Sequence, residues 1–176
     1  MILCEGNMKF DFTGFNAEKI DTAQNACTGL GIVDFVAENE ECILFIEVKN
    51  YDNFSDDPIK QAHMDKNKEN DYLKLTEESD SYPRKVGMVF KDSLFRWLAQ
   101  GKEFTKPIKL LYIINPMPEF EPNDHAKLLD RIEGYIPHGI NTKLSQYPKM
   151  HEIKFDMPML ENVKELYNFT VTLKRG

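Results

Sequence analysis

The chain lacks most of the features that would assign it quickly. Among its 176 residues only three are cysteine, Cys4, Cys27 and Cys42, an odd number with no metal-ligand spacing. Reduced, buried thiols are expected rather than a disulfide framework. His63, His125, His138 and His151 have no zinc-site spacing either and are expected at the surface. No glycine-rich phosphate loop is present, because the lone Gly29-Leu30-Gly31 precedes a strand-like run and does not follow one. Serine and cysteine nucleophile motifs are absent. The N-terminal MILCEGNMKF has no basic region leading into an apolar run, so no secretion signal is expected, and no apolar stretch reaches the length of a bilayer span. The expectation is a cytoplasmic protein with no membrane contact.

Positive charge is also scarce. The net charge of −7 argues against an ordinary DNA-binding protein, which presents a basic face to the phosphates. It does not exclude a nuclease, since a local positive groove can coexist with an acidic remainder. What it predicts is a weak, salt-sensitive grip on nucleic acid. At 41% apolar and 29% charged the composition is that of a soluble globular protein. The length suits a single domain over residues 1–176 with a core that needs no staples. Internal repeats, low-complexity tracts and a composition shift that would mark a domain boundary are all missing.

What is present is a pattern of alternating elements. Met8 to Phe12 alternates like a short strand ended by Thr13-Gly14. Asn16 to Thr22 reads equally as a helical turn or a second short strand. Residues 52–57 are acidic and turn-like, and Pro58 begins a weakly amphipathic surface helix towards Asn70. Residues 71–84 read as a mobile connector, with Glu77-Glu78-Ser79-Asp80 as a solvated acidic run. A stronger helix is expected from Arg84 to Gln100, with Val86, Val89, Phe90, Phe95, Trp97 and Leu98 available for burial and Gly101 as its stop. On that helix Lys85, Lys91, Ser93 and Arg96 read as a solvated basic face; Lys91 or Arg96 would hold a phosphate only if the helix faces a cleft. Lys109 to Asn115, ended by Pro116, has the continuous apolar character of a strand buried on both faces. A helix from Pro122 to Gly134, a strand over His151–Asp156, a helix over Met159–Tyr167 and a last strand over Phe169–Leu173 complete the order. This alternation predicts an α/β fold, a mixed central β-sheet flanked by helices.

The most informative segment is GIVDFVAENEECILFIEVKN, Gly31 to Asn50. It reads as two apolar strands joined by an acidic turn, the first with Asp34 in its middle and the second ending in Glu47-Val48-Lys49. Carboxylates and a lysine among Ile, Val and Phe are costly unless paired or bound to a metal. Because strand side chains alternate, Ile43, Phe45, Glu47 and Lys49 share one face. A turn centred on Glu40-Glu41 places Asp34 opposite Glu47, whereas a one-residue slip would send it to the other face. Two carboxylates and the backbone carbonyl of Val48 then make a hard, oxygen-rich site for Mg²⁺, which Mn²⁺ can replace. Such a metal lowers the pKa of a bound water and offsets charge on a phosphate, and Lys49 would orient or deprotonate that water. The competing interpretation is a Glu47–Lys49 or Asp34–Lys49 ion pair fraying at a strand end.

An acidic residue on one strand and Glu-x-Lys on the next resembles the PD-(D/E)xK nuclease superfamily, the restriction-endonuclease-like fold. Asp34 matches the first position, Glu47 and Lys49 the second, and Val33 replaces the proline of the name. The resemblance covers residues 8–61. It implies a mixed sheet with flanking helices, Mg²⁺ dependence and cleavage of DNA or, less often, RNA. Many members add a glutamate on the first helix and a glutamine or lysine on the helix after Glu-x-Lys. Glu18 and Gln61 are the positions that could serve, Gln61 as an outer catalytic contact, although Asp65 stands where a tyrosine often follows. Since such folds often need two active sites to cut a duplex, a homodimer or larger protein complex is a natural partner state. A second possibility keeps the fold without activity, as a binding or regulatory module of a larger defence or mobile-element complex. A second Glu-x-Lys, Glu152-Ile153-Lys154, has no aspartate strand at hairpin distance.

Overall fold

The hairpin at residues 31–50 is the seam on which the rest of the chain is laid down. The computed structural model describes residues 1–22, 30–52, 57–76, 79–120, 122–137, 139–140 and 151–174. In chain order these form β1 (Ile2–Glu5), β2 (Met8–Asp11), β3 (Asn16–Lys19), β4 (Phe35–Glu38), β5 (Ile43–Asn50), α1 (Pro58–Thr76), α2 (Ser81–Ala99), β6 (Ile108–Asn115), α3 (Pro122–Glu133), β7 (Gly139–Ile140), β8 (His151–Asp156), a 3-10 turn (Leu160–Asn162), α4 (Val163–Tyr167) and β9 (Thr170–Leu173). The fold is mixed α/β, with two sheets and four α-helices among the described residues. Expectations that fell on Cys27, Gly29, residues 53–56, Glu77-Glu78 and His138 lie outside the described residues.

A six-stranded sheet runs in the order β3-β4-β5-β6-β8-β7, and a three-stranded sheet in the order β1-β2-β9. The pairs β3–β4, β4–β5 and β7–β8 are antiparallel, while β5–β6 and β6–β8 are parallel, so the larger sheet is mixed. Parallel neighbours require crossovers. Here α1 and α2 connect β5 to β6, and α3 lies between β6 and β8. Alternate residues of the central strands feed two cores. Ile43, Phe45, Leu110, Tyr112 and Ile114 pack with Phe90, Leu94 and Trp97 of α2 and Leu128 and Ile132 of α3. On the opposite face Leu44, Ile46, Leu111 and Ile113 meet Phe10, Phe12 and Phe169 of the small-sheet side and Val163 of α4. The layers are therefore helices, six-stranded sheet, and small sheet with α4. Among the described residues no helix is long and apolar enough to cross a membrane.

Several boundaries differ from the sequence expectation, each for a local reason. Asn16–Lys19 is a strand, paired with β4. The expected connector at 71–84 is largely helical, because α1 continues to Thr76 and α2 already begins at Ser81. Tyr82 and Leu75 are buried there, and Pro83 falls in the first turn, where a missing N–H costs nothing. At the other end Gly101, with φ of 74°, follows α2; its N–H reaches Leu98 at 2.9 Å and that of Lys102 reaches Trp97 at 3.2 Å. This paired closure needs a residue that tolerates the left-handed region. Trp97 is core as expected, but Phe95 and Leu98 are 62% and 44% exposed and do not join it. The expected helix over 159–167 is a 3-10 turn followed by the short α4.

Candidate metal centre

The turn between β4 and β5 is closed by Asn39, whose Oδ1 accepts the N–H groups of Glu41 and Cys42, each at 2.9 Å. This centres the loop on Glu40-Glu41 and fixes the register Phe35↔Ile46, Val36↔Phe45, Ala37↔Leu44. Extending that register by one step sets Asp34 opposite Glu47, on the face that carries Val36 and Phe45. Asp34 is not in the middle of a strand, however. It occupies the bend immediately before β4, where its carboxylate turns back onto the neighbouring strand: Oδ2 accepts the Val48 N–H at 2.6 Å.

Glu47 and Lys49 stand on one face of β5 as the alternation requires, and their side chains form an ion pair. Lys49 keeps a side chain 37% exposed, whereas that of Glu47 is 9% exposed. In an extended strand the N–H and C=O of one residue project to the same edge. The Val48 carbonyl therefore faces the Asp34 edge, like its N–H. Each carboxylate has one oxygen engaged, Asp34 by Val48 and Glu47 by Lys49. Among the described residues no buried side-chain polar atom lacks a partner. The second oxygens of Asp34 and Glu47, which accept no described hydrogen bond, are thus reached by solvent.

The electrostatics are those of a site held against its own preference. Burial, then the neighbouring Glu47 charge, pushes the Asp34 carboxyl up to about 7, against the lowering effect of the Val48 N–H. Burial likewise raises Glu47, with Lys49 opposing. Burial alone would lower Lys49, but the Glu47 carboxylate outweighs it and the ammonium is held above its ordinary value. Asp21 and Lys85 also act on Glu47 through space, with opposite signs.

Supports that the sequence reading missed come from α2. Asp92 Oδ2 accepts the Gly31 N–H and Ser93 Oγ accepts the Val33 N–H, both at 2.9 Å, while Ser93 donates to the Val89 carbonyl. Ser93 is therefore not part of a solvated face: it is buried and pins the segment that ends at Asp34. A second unread support is a tyrosine cluster. The hydroxyls of Tyr82 and the buried Tyr112 lie 2.7 Å apart, Tyr51 donates to Asp71 at 2.7 Å, and Tyr51 and Tyr82 influence each other electrostatically. Tyr112 is the register partner of Glu47 across the parallel pair. The cluster links α1 and α2 to the end of β5 where Lys49 lies, and burial raises all three phenols. The only sequence signal was a tyrosine directly after Asn50, too common to single out.

The remaining candidates sit elsewhere. Gln61 is on α1 and donates to Asp65 at 2.9 Å, one turn along the same helix. Glu18 is on β3, not a helix, and pairs with Lys102 at 3.0 Å. A cleft of about 350 Å³ beside Glu18, Trp97 and Lys102 and one of about 550 Å³ beside Asp65, Tyr72 and Pro118 are not lined by Asp34, Glu47 or Lys49. Among the described residues no group of three or more His, Cys, Asp or Glu is placed to hold a metal. The candidate centre rests instead on two carboxylates and a backbone carbonyl. Compared with known proteins, the chain matches no family model, no curated protein and no solved structure.

Proposed function

We propose that the chain is a Mg²⁺-dependent nuclease that hydrolyses phosphodiester bonds in DNA, with a fold of the restriction-endonuclease-like, PD-(D/E)xK kind. The observation that carries this reading is the hairpin register, whose extension by one step sets Asp34 opposite Glu47, with Lys49 beside them. Two buried carboxylates that repel each other, each with one solvent-reached oxygen, fit a hard divalent cation, which would remove the repulsion that now raises Asp34. Asp34, Glu47 and the Val48 carbonyl would hold Mg²⁺ or Mn²⁺. When bound, the ion supplies a water of lowered pKa and offsets charge on the phosphate.

The residues of the chain do the rest. Glu47 holds the Lys49 ammonium at the strand end, where its exposed portion can meet a phosphate oxygen. Burial lowers Lys49 while the Glu47 and Asp34 carboxylates raise it, so charge drawn from both carboxylates to a cation would lower its pKa and favour taking a proton from the attacking water. The Val48 N–H fixes Asp34, so the two carboxylates are set before any ligand arrives. Gln61, on α1, serves in this reading as an outer contact.

The test begins without a substrate. Mn²⁺ is titrated calorimetrically into the wild type and into Glu47→Ala. Binding by the wild type that disappears in the variant supports the site and justifies assays on DNA substrates. Equal binding, or none in either, sinks the assignment and leaves an ion pair at a strand end.

A further inference from the structure

Resting on that reading, we propose that the exposed face of α2 is a track for single-stranded DNA leading to Asp34 and Glu47. Three large apolar side chains on this helix, Met88, Phe95 and Leu98, are 49%, 62% and 44% exposed. At 3.6 residues per turn they share an arc of about 80° with Arg84 and Lys91. The arc contains no acid. The whole of α2 holds Arg84, Lys85, Lys91 and Arg96 against Asp92 alone, a net of +3 on a chain of −7, so the remaining residues sum to −10. The one acid is occupied, since Asp92 accepts the Gly31 N–H. No described carboxylate lies within ion-pair distance of Lys85 or Lys91.

Charge and continuity select the occupant. A second copy of the chain would bring one helix of net charge +3 against another, which like-charge repulsion disfavours. An anionic polymer is complementary. An exposed phenylalanine set among cations suits a strand whose phosphates meet Lys91 and whose unpaired bases stack on Phe95; a duplex hides those base faces. The helix that carries the face also touches the candidate centre, because its Asp92 and Ser93 pin residues 31 and 33 before Asp34.

The test is fluorescence anisotropy of a labelled single-stranded oligodeoxynucleotide of roughly 16 nucleotides, one binding site's length, in EDTA so that nothing is cut. Wild-type affinity should fall steeply with salt. Phe95→Ala should weaken binding about tenfold, and Lys91→Gln should lower the slope of log affinity against log salt by about 1. Both side chains are exposed, so both variants should melt like the wild type and keep their Mn²⁺ binding. The track is overturned if the wild type does not bind, if both variants bind as it does, or if RNA, duplex DNA or polyglutamate binds tighter. It is also overturned if sedimentation finds a dimer that Phe95→Ala dissociates. Failure to bind DNA with Mn²⁺ binding intact removes the track alone. DNA binding at this face without Mn²⁺ binding leaves the track standing and removes the metal centre.

Discussion

Two Glu-x-Lys triplets lie on strands that run in the same direction through one sheet, and they have opposite environments. Glu47 and Lys49 sit late in β5, level with Tyr112 and Ile114 of β6, with Glu47 buried. Glu152 and Lys154 sit early in β8, level with the start of β6; they pair at 3.2 Å with side chains 64% and 66% exposed. Across its ladder Glu47 meets the position of Asp34, whereas Glu152 meets Gly139. The triplet alone carries no chemistry. Burial and a carboxylate delivered by the neighbouring strand turn one copy into a candidate centre, and their absence leaves the other as a surface ion pair worth little.

The widest separation between the copies should come from truncating each glutamate. Glu47→Ala should abolish Mn²⁺ binding and take DNA cleavage to background, while Glu152→Ala leaves both at wild-type level; equal losses would erase the distinction. Next in size, Lys49→Ala should retain Mn²⁺ binding and reduce cleavage by about 10²–10⁴-fold, measured as single-turnover rates. Undiminished cleavage would remove Lys49 from the mechanism.

A third comparison uses pH on the metal-free protein. Asp34 titrates at about 7 in the folded state and near 3.9 when unfolded. Between those values the native state binds the extra proton, so stability is full below about pH 4 and is lost as pH rises to about 7. The loss is at most about 4 kcal/mol, from roughly three pKa units at 1.36 kcal/mol each. Urea unfolding in EDTA should show this decline, Asp34→Asn should flatten it, and Mn²⁺ should oppose it at pH 8. A profile identical in the variant would count against strained carboxylates. Smallest, Ser93→Ala strands the buried Val33 N–H and should cost about 1–3 kcal/mol in the same assay. It should also weaken Mn²⁺ binding, which a purely structural serine would not do.

The register behind the candidate site was legible because a short turn leaves few alternatives. With Asn39 closing the loop, counting outward from Glu40-Glu41 places Asp34 against Glu47 without further information. The continuous apolar run of β6 likewise announced a strand buried on both faces. Short-range pattern could not supply contacts made across about 60 residues, such as Ser93 to Val33 and Asp92 to Gly31. The exposure of Phe95 and Leu98 was within reach of helical spacing, which sets them on the arc away from Val86, Phe90 and Trp97; hydropathy taken without that period hid it. Neither β1, with no fully buried residue, nor β7, of two residues, carries an alternation long enough to read.

The support that α2 gives to the segment before Asp34 also has a consequence during synthesis. A ribosome that has delivered everything through Asn70 has already made the hairpin motif in full, but not Asp92 or Ser93, which pin the bend before Asp34. The hydrogen bonds that pin residues 31 and 33 form only once α2 is present. A nascent or truncated chain that ends before residue 92 holds every proposed metal ligand but neither of the side chains that pin the bend before Asp34, so the proposed centre gains its full support only when the helix is complete.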